Sequence, residues 1–283
     1  MKIIFFGTPQ EVVPVLETLT ENFTIAAVVT TPDQKSGRKQ IVTATPVKLF
    51  AEKNDIPVIT PQQFSNETLK QLQNFKPDLF VVAAYGKIIP NAVLTLPKHG
   101  AINIHPSLLP LYRGATPLQT TILNGETQSG ISFIKMDAKM DHGPIVHQMP
   151  FALENTDTFG WLMQSKFALA AQILPHVITE FVSGKITPQP QDESAATYTK
   201  MITKQDGYID IDNPPKADQL DRMIRAYYPW PAVWTRVTSN NRELLIKFLP
   251  KKTIQVEGKK PMGVKDFLNG YPEMKEIIKK IFT

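Results

Sequence analysis

Asn103 and His105 lie at the end of an apolar run, and their side chains suit chemistry at a carbonyl group. Residues 100–104 alternate small and β-branched residues, which predicts a short buried strand. Residues two apart on a strand share one face. Beyond the carboxyl end of a strand in an open α/β sheet, where ligands bind, an amide could polarise a carbonyl and an imidazole could move a proton.

A second polar segment, residues 136–144, supplies a carboxylate at Asp141. If His105 were the only polar feature here, the simpler interpretation would be that it caps a loop. A capping role leaves unexplained both the proline-bounded loop at 106–110 and this acidic segment, so a site is the better interpretation. Asp141 could orient His105 and stabilise its charged form, or accept a proton directly. Both roles stay open at this stage.

The alternation of strands and helices in residues 1–183 predicts a doubly wound, mostly parallel α/β sheet. The strand predicted at 78–84 is apolar at every position after Asp78, which is typical of a strand buried on both faces. The first strand is followed by Gly-Thr-Pro at 7–9, and no dinucleotide fingerprint or phosphate loop is present. Nicotinamide and flavin dinucleotides are therefore disfavoured. A long helix over 156–181, with a kink or break at Pro175, is expected to close this domain.

Composition divides the remainder of the chain. Residues 184–204 are rich in Pro, Gln, Ser and Thr and predict a linker. Residues 205–283 predict a smaller, β-rich domain. The net charge of +5 falls within 242–283, which holds 10 Lys or Arg and 5 Asp or Glu. Such a basic tail suits a polyanionic partner or a solvated surface.

Composition also excludes some classes of protein. The chain has no cysteine, so disulfides and thiolate nucleophiles or metal ligands are absent. His142 and His147 lie near Asp141 without the usual cluster of ligands, and we expect no metal. No apolar run approaches the roughly 18 residues that span a bilayer, and the opening residues do not form a signal peptide. We expect a cytoplasmic monomer with no membrane partner.

Several motifs resemble those of a known superfamily. Residues 103–110 read Asn-x-His-Pro-Ser-Leu-Leu-Pro and residues 112–117 read Tyr-Arg-Gly-Ala-x-Pro. Together they resemble the signature of formyltransferases that use 10-formyltetrahydrofolate, and Asp141-x-Gly143 resembles its acidic partner. The segments at 1–9, 225–231 and 258–262 resemble the methionyl-tRNA formyltransferases within that superfamily.

The resemblance implies a Rossmann-like formyltransferase domain, followed by an oligonucleotide-binding-type (OB-like) barrel. The barrel is expected to be reduced, because the chain passes directly from Phe248 to residues 251–254. The implied reaction moves a formyl group from 10-formyltetrahydrofolate, a co-substrate, to the α-amino group of methionyl initiator tRNA, in support of translation initiation.

The resemblance also assigns roles to residues. The catalytic set is Asn103, His105 and Asp141. Arg113 could position its loop, form a salt bridge or meet a phosphate. The remaining assignments are the folate-binding residues Tyr85, Gly86, Ser107, Leu108, Leu109 and Pro110, and the tRNA-binding residues Arg38, Lys39, Lys251, Lys252, Lys259 and Lys260.

Three alternative functions compete with this one. A sugar-nucleotide N-formyltransferase would share the catalytic set, and the short C-terminal part favours it. A glycinamide ribonucleotide formyltransferase resembles the chain at 141–145, but its glycine-rich phosphate loop is missing here. A non-catalytic RNA-binding protein would not need the catalytic set.

Overall fold

The computed structural model describes residues 1–36, 41–239 and 242–282. The chain forms two compact units. The first unit contains residues 1–115, 129–151 and 163–198, and the second contains 116–128, 152–162 and 199–283. The first domain was predicted to end at residue 183 and the second to begin at residue 205, so this division differs from the prediction. Residues 184–198, predicted as linker, belong to the first unit.

A seven-stranded sheet forms the centre of the first unit, in the order β5-β2-β1-β6-β7-β8-β9. Its strands, in chain order, are β1 (Lys2–Gly7), β2 (Thr24–Val29), β5 (Val58–Ile59), β6 (Leu79–Ala83), β7 (Ala101–His105), β8 (Gln128–Lys135) and β9 (Ile145–Ala152). The pairs from β5 through to β7 are parallel, and β7 pairs with β8 in the antiparallel sense. The predicted doubly wound, mostly parallel sheet is confirmed.

The apolar runs explain why these strands lie at the centre. Every residue of β6 is buried, as are residues 3–7 of β1. Apolar clusters therefore form on both faces of the sheet, one around Phe5 and Leu16 and the other around Phe6 and Phe80. Burial of this kind contributes about 25 cal/mol for each Å² of apolar surface removed from water.

Nine α-helices occur in the described residues. They are α1 (Val13–Asn22), α2 (Pro46–Lys53), α3 (Asn66–Asn74), α4 (Asn91–Leu94), α5 (Pro117–Leu123), α6 (Phe159–Val182), α7 (Ala217–Ala226), α8 (Val264–Gly270) and α9 (Lys275–Phe282). Of the kink or break predicted at Pro175, the break does not occur, because α6 continues past it. Leu174, Val177 and Ile178 are buried in the core there, and their burial offsets the hydrogen bond that proline removes.

The second unit contains an antiparallel sheet of four strands, β10 (Val233–Ser239), β11 (Arg242–Leu249), β12 (Thr253–Val256) and β13 (Met262–Gly263). An OB-fold has five strands, so the prediction of a smaller, reduced β-rich part is confirmed. A 3₁₀ turn occupies Lys204–Gly207, and a side chain at Gly207 would collide with the carbonyl of Ala232. The next residue, Tyr208, forms an isolated parallel bridge with Trp234.

Two further strands, β3 (Gln34–Ser36) and β4 (Ile41–Thr43), pair as an antiparallel ribbon in the first unit. Arg38 and Lys39, predicted to bind tRNA, lie outside the described residues. Within the part of the chain that the structure describes, no helix is both long enough and apolar enough to cross a membrane.

Candidate active site

Strand β7 places Asn103 and His105 on the same side of the sheet. Their neighbours Ile102 and Ile104 are buried in the core on the opposite side, as the two-residue period of a strand requires. Asn103 is partly exposed, whereas His105 is buried at 4% exposure. The strand therefore presents an amide and an imidazole at its carboxyl end.

The carboxylate of Asp141 lies against both of these side chains. Asn103 Nδ2 donates a hydrogen bond of 3.3 Å to Asp141 Oδ1, and His105 Nδ1 lies 3.6 Å from Asp141 Oδ2. The backbone N–H of Gly114 donates to the same Oδ2 at 2.8 Å. The structure thus brings together the three residues predicted as catalytic.

A hydrogen bond of the His105 ring defines which of its two nitrogens carries the hydrogen. Its Nε2 is 3.0 Å from the carbonyl oxygen of Tyr112, which can only accept, so Nε2 carries a hydrogen. In the neutral ring Nδ1 is then an unprotonated acceptor that faces the Asp141 carboxylate. These two acceptors are 3.6 Å apart, beyond the range of a hydrogen bond, and either of them can receive a proton.

The loop at 106–110 uses many of its polar groups to hold itself in place. Ser107 Oγ donates to the carbonyl of Leu111 at 2.7 Å. Ser132 Oγ donates to the carbonyl of Ser107 at 2.6 Å and accepts from the N–H of Leu109 at 3.0 Å. Gln148 Nε2 donates to the carbonyl of Leu109 at 2.9 Å. The Ser107 hydroxyl and the Leu109 backbone are therefore committed to loop structure.

Space beside this loop is restricted. A side chain at position 130 would collide with the side chain of Leu108 and with the carbonyl of Met149. Leu109 is also buried, at 3% exposure. The loop therefore forms a rigid, apolar wall that ends at Pro110. Residues 112–114 follow shortly after it, and the N–H of Gly114 binds the Asp141 carboxylate.

Tyr85, predicted to bind folate, directs its side chain into the core. The ring packs edge-on to Phe6, with centroids 5.5 Å apart, and also contacts Phe64. Burial raises the pKa of the Tyr85 phenol to about 12, and its hydroxyl has no hydrogen-bond partner among the described residues. The Tyr85 carbonyl accepts from Thr8 Oγ1 at 2.8 Å. Gly86 has φ +81°, and among the described residues no atom lies within 4 Å of the position of a Cβ there.

Arg113 is a fully buried cation. Its guanidinium donates two hydrogen bonds to the carboxylate of Glu193, of 2.6 and 3.0 Å. Of the three roles considered for this arginine, the structure favours a salt bridge that holds its loop. The bond to Glu193 raises the pKa of Arg113, and the same bond lowers the pKa of Glu193.

The lysines predicted to bind tRNA in the second unit are all exposed. Lys251 and Lys252 lie in the turn between β11 and β12, and Lys259 and Lys260 precede β13. Lys252 Nζ donates to the carbonyl of Phe282 at 3.1 Å, and Lys259 Nζ to the hydroxyl of Tyr271 at 2.9 Å.

Two further features concern binding. A cavity of about 400 Å³ lies within the second unit, and Asp157, Asp218 and Arg222 are among its lining residues. None of the predicted site residues that the structure describes lines this cavity. No group of three His, Asp or Glu residues in the described ranges has the arrangement of a metal site.

Sequence reasoning missed several residues that support the site. Gly114 N–H and the Tyr112 carbonyl bind the catalytic side chains through backbone atoms, for which a sequence gives little signal. Gln191, Glu193 and Thr197 hold the loops that carry Arg113 and Asp141, and they fall in the segment predicted as a linker. In the sequence, only the resemblance of residues 112–117 to a motif indicates that the loop carrying Arg113 is important.

Two family models match most of the chain. A model described as formyl transferase matches residues 1–178, and one described as the C-terminal domain of formyl transferase matches residues 201–252. The chain belongs to the formyl transferase family.

Within that family, the chain is similar to proteins named methionyl-tRNA formyltransferase. The one from Roseiflexus sp. (strain RS-1) is 42% identical over 238 residues, which cover 83% of this chain and 73% of the relative. The one from Caldanaerobacter subterraneus subsp. tengcongensis is 36% identical, with 96% of this chain and 97% of the relative covered. Among solved structures, a sugar N-formyltransferase from a Shewanella species has a TM-score of 0.67 over 89% of this chain and 98% of its own, at 16% identity. That similarity shows a shared fold.

Proposed function

We propose that this chain transfers a formyl group from 10-formyltetrahydrofolate to the α-amino group of methionine on initiator tRNA. The observation that carries the proposal is the convergence of Asn103, His105 and Asp141, at 3.3 and 3.6 Å, at the end of β7. The similarity to relatives named methionyl-tRNA formyltransferase, at 42% and 36% identity, supports the choice of acceptor.

The reaction forms one bond and breaks another. The amine nitrogen attacks the formyl carbon and gives a tetrahedral intermediate, from which the bond between that carbon and N10 of the folate breaks. The amine loses a proton and N10 gains one. An α-amino group has a pKa of about 7.7–8.0, and an ester lowers it, so much of the amine is already nucleophilic at neutral pH.

Asn103 and His105 have separate parts in this proposal. The Asn103 amide carries two hydrogens, and its bond to Asp141 uses one of them, so the other is available to the oxyanion of the intermediate. Such a donor is typically worth about a hundredfold or more in rate. The pair of acceptors formed by His105 Nδ1 and Asp141 Oδ2 receives the amine proton and returns it to N10.

The substrates occupy different parts of the chain in this proposal. Folate lies along the apolar wall at 107–110 and the open backbone at Gly86, with the formyl carbon toward Asn103. The basic residues Lys251, Lys252, Lys259 and Lys260, together with Arg38 and Lys39, contact tRNA phosphates. The protein works in the cytoplasm as a monomer and needs no metal.

The competing function is N-formylation of a sugar nucleotide. It is the alternative to test because the chain shares its fold with a sugar N-formyltransferase. The test is a direct comparison of acceptors with purified protein and 10-formyltetrahydrofolate. We expect formylation of methionyl initiator tRNA at a kcat/KM at least about a hundredfold above that for amino-sugar nucleotides. Efficient formylation of an amino sugar with no reaction on tRNA would reject the proposal.

A further inference from the structure

A segment of the first unit, residues 189–198, holds both loops of the candidate site, and we call it the strap. It begins by pairing with β9, because Ile145 N–H donates to the Gln189 carbonyl at 2.7 Å and Gln189 N–H to the Ile145 carbonyl at 2.8 Å. Its backbone is therefore hydrogen-bonded to the sheet, which distinguishes the strap from a linker.

The strap fixes the loop that holds His105. Thr197 accepts the N–H of Tyr112 at its hydroxyl and the N–H of Arg113 at its carbonyl, each at 2.8 Å. Tyr112 adopts φ +61°, a conformation that costs a residue with a side chain about 1 kcal/mol or more. These bonds stabilise that conformation, and the Tyr112 carbonyl is the acceptor of His105 Nε2.

Gln191 joins this loop to the loop that carries the acid. Its Nε2 donates to the carbonyls of Asp141 and Gly143, both at 2.8 Å. Its Oε1 accepts from Arg113 Nη2 at 2.7 Å and from Nε at 3.1 Å. Both amide hydrogens and the amide oxygen are thus used, and all four bonds lead to the two site loops.

The Asp141 loop depends on such support. Asp141 has φ +49°, an uncommon value for a residue with a side chain. Gly143 lies so close to the carbonyl of Lys135 that no Cβ would fit there. The two bonds from Gln191 fix the carbonyls on either side of His142, and so set the direction in which the Asp141 carboxylate points.

We propose that Gln191 is a positioning residue for formyl transfer, which sets the separation between His105 Nδ1 and Asp141 Oδ2. The proposal rests on the proposed function of this site. Its physical basis is that a displacement of about 1 Å in a catalytic group can cost about a hundredfold in rate.

Gln191→Glu is the informative substitution, because it keeps the size of the side chain and the contact to Arg113. It replaces the donating NH2 by a carboxylate oxygen that faces two carbonyls, so the hold on the Asp141 loop is lost. Gln189→Glu is a matched control, since the exposed Gln189 side chain donates only to the carbonyl of Thr187 in the described structure.

The experiment measures kcat, KM for both substrates, and the NMR chemical shifts of the His105 imidazole. For Gln191→Glu we expect kcat to fall about ten- to a hundredfold, KM values to stay within about threefold, and the His105 chemical shifts to change. Gln189→Glu should leave all three unchanged. The ratio of variant to wild type is measured with whichever acceptor the wild type formylates, and the NMR measurement needs no acceptor. A failure of the proposed acceptor is thereby distinguished from a failure of this inference.

Gln191→Met serves as a second variant if the glutamate variant does not fold. It removes the four hydrogen bonds without adding a charge, and the same fall in kcat is expected. The inference is overturned if a folded Gln191 variant keeps kcat within about threefold of wild type with unchanged His105 chemical shifts. It is also overturned if Gln189→Glu reduces kcat as much as Gln191→Glu.

Discussion

Arg113 and Glu193 form an ion pair in which the cation is fully buried and the anion is half exposed. The side-chain exposures are 0% and 55%, and the shortest nitrogen–oxygen distance is 2.6 Å. A buried guanidinium without a counter-charge is strongly disfavoured. The pair therefore fastens the strap to the loop that carries Tyr112 and Gly114.

This ion pair predicts sensitivity to acid. The bond from Arg113 holds the pKa of Glu193 below its ordinary value. A carboxyl with a depressed folded-state pKa contributes stability above its unfolded pKa of about 4.3 and loses that contribution as pH falls through the folded value. We expect Glu193→Gln to lower the melting temperature at pH 7, and to lose less further stability than wild type below about pH 4.3.

Thermal unfolding between pH 3 and 7 measures this effect. Glu257→Gln is the matched control, because Glu257 is exposed and lies in the second unit. Equal melting temperatures for Glu193→Gln and wild type at pH 7 would contradict a stabilising role for the pair.

The catalytic set predicts three inactive variants that still fold. Three alanine substitutions each remove one side-chain group from the site at the end of β7 without opening the apolar core around Phe5. They are Asn103→Ala, His105→Ala and Asp141→Ala. We expect each to reduce kcat by about a hundredfold or more, with a melting temperature near that of wild type. Single-turnover formylation with saturating substrates is the measurement. Near-normal turnover by Asn103→Ala would exclude it as the oxyanion donor.

Tyr85→Phe separates the core role of that residue from the predicted role in binding folate. Because the phenol points into the core, we expect KM for the folate and kcat within about twofold of wild type. The folded-state pKa of about 12 exceeds the ordinary value of 10.0. A raised folded pKa means that stability is lost as pH rises from about 10 toward 12.

Absorbance titration of the phenols and denaturation between pH 8 and 12 test this prediction. The variant should lose one high-pH titration and lose less stability in that range. A marked rise in the KM for folate would instead place the Tyr85 hydroxyl in the binding site.

The residues on β7 were predictable because strand geometry is local. Their shared face follows from the two-residue period, and Asp141 was found through its resemblance to a motif. The direction of the Tyr85 side chain was not predictable in this way. Ala84 adopts φ +43° just after β6, and the chain turns so that Tyr85 faces the core. No period in the sequence indicates such a turn.

The strap was missed because its partners are distant in sequence. Arg113 and Gln191 are 78 residues apart, and a segment rich in Pro, Gln, Ser and Thr has the composition of a linker. The helices α8 and α9 were missed for another reason. Their positively charged residues were interpreted as a tail, whereas Phe267, Ile278 and Ile281 are buried.

The proposed chemistry predicts that activity does not depend on a divalent metal. The amine needs no activation beyond loss of a proton, and Asn103 with His105 and Asp141 supplies the groups for the intermediate. We expect formyl transfer to be unchanged after dialysis against a chelator. The assay must use tRNA refolded beforehand in magnesium, since tRNA itself binds the ion. Loss of activity that zinc restores would show that a metal takes part.

The exposed lysines of the second unit predict a dependence of tRNA affinity on salt. Each phosphate that a lysine neutralises releases counterions, so the logarithm of affinity falls with the logarithm of salt concentration by about 0.7–0.9 for each contact. Lys251 and Lys260 are the most informative pair, because the amines of Lys252 and Lys259 already bind Phe282 and Tyr271. We expect the double variant Lys251→Gln/Lys260→Gln to reduce the slope by about one to two units, with kcat at saturating tRNA unchanged.

The control for this experiment is a double variant with the same change in net charge in the first unit. Lys70 and Lys98 are exposed there, outside the predicted tRNA-binding set. Lys70→Gln/Lys98→Gln should leave the slope unaltered, since only local phosphate contacts, and not net charge, determine counterion release. If wild type and both lysine variants share one slope, the basic face does not meet tRNA, and the case for a sugar-nucleotide acceptor becomes stronger.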